Sequence, residues 1–119
     1  MVWFINLQQS KSNMRLYHNP RCSKSRQAVA LLAERKIEFE DYRYLDNGIA
    51  QDDLDLLVPL DGVIRKKEVD KSMGYDLNNK ADIRKLLIDN PKALERPILI
   101  NNGHAVIGRP PENILQLID

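Results

Sequence analysis

Tyr17-His18-Asn19-Pro20-Arg21-Cys22-Ser23-Lys24-Ser25-Arg26 holds the chain's one cysteine and marks a change in hydrophobic pattern. Before it, Met14 to Tyr17 alternates as a short strand does. After it, Ser23 to about Glu34 carries Ala28, Val29, Leu31, Leu32 and Ala33 at the spacing of one apolar helix face. Asn19-Pro20 is a turn signal between the two. Cys22 therefore stands where a strand gives way to a helix. Unpaired N–H groups at a helix start favour an anion, and the same partial charge favours a thiolate over a thiol. Arg21, Lys24 and Arg26 add positive charge, and His18 is near enough in sequence to donate to the sulfur or to a bound oxyanion. A lone cysteine is commonly a small buried hydrophobe. Here polar residues flank it on both sides, which predicts that no apolar neighbour buries it. The reading is a nucleophilic thiolate in an anion-binding cradle.

Downstream, Ile37, Phe39 and Tyr42 lie in a segment with a second strand's pattern, broken at Asp46-Asn47-Gly48. The middle predicts two or more helices. Leu54, Leu57, Val58 and Leu60 share one apolar face; Ala81, Ile83, Leu86, Leu87 and Ile88 form another, ending near Asn90-Pro91. Ile98-Leu99-Ile100 and His104-Ala105-Val106-Ile107 are strands joined by a turn centred on Asn102-Gly103. Pro110 or Pro111 suits the first turn of a final helix whose buried side is Ile114, Leu115, Leu117 and Ile118.

The order strand, helix, strand, helices, strand, strand, helix predicts a thioredoxin-like (glutaredoxin-like) α/β sandwich. It has a mixed four-stranded sheet. The domain runs over 14–119, with a helical insertion at about 46–92. Residues 1–13 read as an extension, either an extra edge strand or loose, and Met14 reads as an alternative chain start. In this class a proline before the third strand often has a cis peptide bond, and Pro97 occupies that place. Arg96 and Arg109 then approach Cys22, and Arg65 stands at an edge of the insertion. Guanidinium groups present a planar fork of donors suited to an oxyanion.

Composition narrows the function. Lys and Arg number 18 against 17 Asp and Glu, a formal net charge of +1, so no electrostatic footprint for nucleic acid is expected. One cysteine makes no disulfide framework, and a free reactive thiol suits the cytoplasm. Apolar runs fall short of membrane-spanning length, and Met1 to Leu7 lacks the features of a signal peptide. His18, His104 and Cys22 have no metal-ligand spacing. Neither a dinucleotide glycine pattern nor a Walker-type loop is present. No bound cofactor and no metal are expected, and a monomer is.

Taken together, Tyr17 to Arg26, Leu45, Ile64-Arg65-Lys66, Glu95-Arg96-Pro97-Ile98 and Gly108-Arg109-Pro110-Pro111 resemble the arsenate reductases coupled to glutathione and glutaredoxin. The likeness is nearest to their small bacterial branch of unassigned substrate. It covers the chain from Met14 onward. It implies Cys22 as nucleophile, His18 as the group that depresses the cysteine pKa, and Arg65, Arg96 and Arg109 as oxyanion ligands. Pro97 falls on the family's cis-proline. It also implies arsenate reduction through a cysteine–arsenic adduct, with glutathione as thiol cosubstrate and glutaredoxin as a transient partner. Arg21, Ser23 and Lys24 beside the cysteine, and Lys67 after Arg65-Lys66, depart from the member best tied to arsenic. Two other readings share the fold. One is a thiol oxidoreductase acting on another oxyanion or on a glutathionylated substrate. The other is a polymerase-binding regulator, in which Ser25 replaces the second cysteine of a redox pair.

Overall fold

The computed structural model describes residues 14–118; the expected extension at 1–13 lies outside the described residues. The chain divides into two compact units, residues 14–42 with 96–118, and Arg43–Glu95.

The first unit is built on a four-stranded sheet. Its strands are β1 (Met14–Tyr17), β2 (Glu40–Tyr42), β3 (Ile98–Asn101) and β4 (His104–Ile107), in the order β2-β1-β3-β4. β1 runs parallel to β2, and both the β1–β3 and β3–β4 pairs are antiparallel. This is the mixed sheet of a thioredoxin-like α/β sandwich. Helix α1 (Ser23–Glu34) is the crossover that the parallel pair requires. Leu16 of β1, Ala28 and Leu32 of α1, Leu99 of β3 and Ile114 form a fully buried cluster.

The end of α1 explains why β2 is shorter than the sequence pattern implied. Lys36 takes a left-handed backbone, with φ 57°. Lys36 N–H then donates to Ala33 O and Ile37 N–H to Leu32 O, both at 3.0 Å. That pair of bonds is a Schellman cap, and Ile37 packs against the Leu32 cluster as such caps favour. Ile37 and Phe39 are thus spent on the core before the chain reaches the sheet. At the hairpin, Asn102 (φ 52°) and Gly103 (φ 79°) both have positive φ, as a tight two-residue turn demands.

The final segment is a 3₁₀ helix over Pro111–Leu117 rather than an α-helix. Three residues per turn puts Pro111, Ile114 and Leu117 above one another. Pro111 and Ile114 are buried and Leu117 is half-buried, so this winding serves the apolar side better than a 3.6-residue turn would. Asn101 Nδ2 ties its end by donating to Leu117 O at 2.8 Å.

The second unit holds α2 (Tyr44–Asn47), α3 (Leu54–Leu57), α4 (Lys80–Asp89) and short 3₁₀ turns. Tyr44, Leu54, Leu57, Leu86, Leu87, Ala93 and Leu94 are almost wholly buried. Ile88, expected among them, is 55% exposed. Leu86 and Leu87 already fill the inner arc of α4, and one further residue turns about 100° away from it. An antiparallel bridge, Ile64 to Leu94, holds the strand-like stretches on either side of this unit.

Candidate active site

Cys22 is the N-cap of α1, with extended backbone (φ −94°, ψ 123°). The loop before it is fixed by its own polar groups. His18 N–H donates to Tyr42 O at 2.9 Å and Cys22 N–H to Asn19 O at 3.0 Å. Asn19 Oδ1 accepts from Arg21 N–H at 3.0 Å, and Arg26 Nη1 donates to Pro20 O at 2.9 Å. Arg26 is therefore a brace for the loop as well as a charge.

The other side of the site comes from the ends of the β3–β4 hairpin. The Arg96–Pro97 peptide is cis, as is Arg109–Pro110. Gly108 N–H donates to Pro97 O at 2.8 Å, and Arg109 Nε donates to Arg96 O at 2.8 Å. Asn113 Nδ2 reaches Arg109 O at 3.0 Å. With its Nε so anchored, Arg109 places Nη2 3.7 Å from Cys22 Sγ. Two segments 87 residues apart thus meet at one sulfur.

Cys22 is 8% exposed, which corrects the expectation that polar flanks leave it unburied. Its cover comes partly from charged groups brought in by the hairpin, which the local sequence does not reveal. Burial pushes the thiol pKa up. The Ser25 N–H, the charge and hydrogen bond of Arg96, and the Lys24 N–H act the other way and prevail, so the thiol titrates below the ordinary cysteine value. The sulfur makes no formal capping bond. The Ser25 and Lys24 N–H groups nonetheless act on it as helix-start donors do.

His18 is buried, and its Nδ1 lies 2.6 Å from Ser25 Oγ. This nitrogen is engaged with the serine rather than the sulfur. Ser25 itself is fully buried, and its Oγ also accepts from Asn19 N–H at 3.0 Å. Sequence reading noticed Ser25 only as a missing cysteine. Its position three residues into a helix, where a hydroxyl turns back on the preceding loop, was the signal available.

Arg65 belongs to the second unit. Its N–H donates to Ala93 O at 2.8 Å, and Glu95 N–H donates to Val63 O at 2.7 Å. That arrangement sets its guanidinium 3.8 Å from Glu95 and 3.5 Å from Glu68, with the side chain 14% exposed. Arg21 and Lys24 are exposed, as is His104 at the start of β4. Among the described residues, no group of three or more His, Cys, Asp or Glu side chains is placed to hold a metal ion. No described helix is long and apolar enough to cross a membrane.

Residues 17–117 match the ArsC family. An arsenate reductase of Neisseria meningitidis serogroup B is 43% identical over 111 residues, spanning 85% of this chain and 94% of that protein. YfgD of Escherichia coli K12, itself uncharacterized, is 39% identical over 114 residues, spanning 88% and 96%. Among solved structures, an arsenate reductase from Vibrio cholerae superposes with a TM-score of 0.74 at 32% identity, covering 88% of this chain and 97% of that one.

Proposed function

The chain belongs to the ArsC family, and from that premise we propose that it is a thiol-dependent oxidoreductase reducing arsenate to arsenite at Cys22. The observation that carries the proposal is the guanidinium of Arg109 3.7 Å from a sulfur whose pKa Arg96 and two helix-start N–H groups depress. A thiolate is the attacking form, and fixed positive charge beside it suits both the incoming oxyanion and the charge of the transition state.

The Cys22 thiolate attacks arsenic(V) and forms a sulfur–arsenic bond, while one arsenate oxygen leaves as water. Arg96 and Arg109 hold the remaining oxygens. The family resemblance gives Arg65 the third place on the oxyanion, and it gives His18 a part in holding the cysteine reactive; Ser25 is the contact through which His18 steadies the loop. Pro97 aims the Arg96 backbone. Glutathione then attacks the arsenic of the adduct and forms a second sulfur–arsenic bond, while a second arsenate oxygen leaves as water. A glutaredoxin thiolate takes the glutathione sulfur, and the electron pair of the broken glutathione–arsenic bond reduces arsenic to the trivalent state. The two oxidised thiols become one mixed disulfide, and water releases arsenite from Cys22. No bound cofactor enters. Glutaredoxin is a transient partner of a monomer. A reducing compartment such as the cytoplasm would keep the thiol free.

The test is arsenate-dependent NADPH oxidation coupled through glutathione reductase, glutathione and glutaredoxin. Turnover that disappears in Cys22→Ser is the expected result; no turnover at any arsenate concentration contradicts the proposal. A second reading is favoured by the donor set itself. Arginine forks select the shape and charge of an oxyanion more than its central atom. A thiol oxidoreductase for another oxyanion, or for a glutathionylated substrate, predicts the same depressed thiol pKa with negligible arsenate turnover.

A further inference from the structure

The two stretches of chain that meet at Cys22 carry cations and no carboxylate of their own. Between Met14 and Ala33 stand Arg15, Arg21, Lys24 and Arg26 and no carboxylate; between Arg96 and Pro111 stand Arg96 and Arg109 and again none. The acids that flank these stretches are Glu34, at the far end of α1 after about 16 Å of helix rise, Glu95, immediately before Arg96 and 3.8 Å from the Arg65 guanidinium, and Glu112, exposed three residues past Arg109.

These cations have different duties. Arg15 pairs with Glu40 at 3.0 Å. Arg26 braces Pro20 O, and Arg96 and Arg109 act on the sulfur. That leaves Arg21 and Lys24. Both are exposed, within two residues of Cys22, and among the described residues neither reaches a carboxylate within 4 Å. Arg21 has its backbone N–H held by Asn19 Oδ1, so its side chain leaves the loop at a fixed point one residue before Cys22. A bulky thiol whose sulfur reaches Cys22 extends beyond the reacting atoms, and a small oxyanion does not.

We infer that Arg21 and Lys24 receive the carboxylates of the external thiol that reacts at Cys22, and so select an anionic, glutathione-class thiol over a neutral one. This rests on the reading that Cys22 is a thiolate served by an external thiol, but not on arsenate being the substrate.

Thiol–disulfide exchange isolates the step. The Cys22 thiolate attacks one sulfur of a disulfide. A new S–S bond forms as the old one breaks, and the other half leaves as a thiolate that takes a proton from water. The second-order rate is measured by intact mass with glutathione disulfide, which carries four carboxylates, and with neutral bis(2-hydroxyethyl) disulfide. Wild type, Arg21→Gln, Lys24→Gln and the double variant are compared at low and high salt. The ratio of the two rates is the readout, because any change in thiolate activation affects both reagents together. The expected fall in that ratio is about threefold for each charge removed and about tenfold for both, shrinking at high salt. An unchanged ratio overturns the inference, whether both rates fall together or neither moves. If wild type reacts with neither disulfide, the underlying thiolate reading fails too. Selective exchange without arsenate turnover sinks only the arsenate reading.

Discussion

Cys22, Ser25 and His18 divide the work at the start of α1. Burial raises the pKa of the sulfur, but two backbone N–H groups with Arg96 outweigh that effect and lower it. The loop that presents the sulfur is tied to the helix in part by one hydroxyl, since Ser25 Oγ serves both His18 Nδ1 and Asn19 N–H. Ser25→Ala takes a partner from the buried His18 ring and from the part-buried Asn19 N–H. The expected cost is about 1–3 kcal/mol, read as a lower urea midpoint at unchanged m-value. An unaltered midpoint would mean that the hydroxyl steadies nothing. Cys22 stood out as a candidate nucleophile because its neighbours in sequence are cations and a helix start. Ser25 carried a weaker signal, because a serine in a helix's first turn can turn back on the preceding loop but can equally face water.

At the scale of elements, two positions set the site's frame with opposite margins. Lys36 occupies the left-handed place at the end of α1 that glycine usually fills. Lys36→Gly removes that strain, and the expected gain is about 0.5–1 kcal/mol, seen as a higher thermal midpoint. Gly108 is the reverse case. A Cβ there would stand 2.9 Å from both Ile114 Cγ2 and Pro97 Cγ, two buried side chains, so one of them must shift. Gly108→Ala should cost about 1–3 kcal/mol in a denaturant titration; a neutral effect would contradict the tight fit described for this corner. Helix α1, β1 and the hairpin were legible because strong local signals agree with their tertiary roles. The short β2 and the 3₁₀ winding of Pro111–Leu117 were not. Their form is decided by what Ile37 and Ile114 must reach in the core, and periodicity carries no such information.

Across the whole molecule, the fold is a way of bringing Arg96 and Arg109 to a residue far from them in sequence. The register of β3 against β1 and β4 does this, pairing Tyr17 with Ile98 and Ile98 with Ile107. Proximity of that kind is not written in any local stretch, and the sequence motifs suggested it through the fold alone. The near-burial of Cys22 follows from the same convergence. The central claim is that this convergence holds a buried sulfur as a thiolate. It is tested most directly by the pH dependence of iodoacetamide alkylation of Cys22, followed by mass spectrometry, in wild type and Arg96→Gln. A depressed pKa keeps the thiolate populated as pH falls below the ordinary thiol range of about 8.5. The predicted half-maximal rate therefore lies below that pH in wild type and moves upward in Arg96→Gln. A wild-type midpoint at or above the ordinary value, or one indifferent to Arg96, would contradict it.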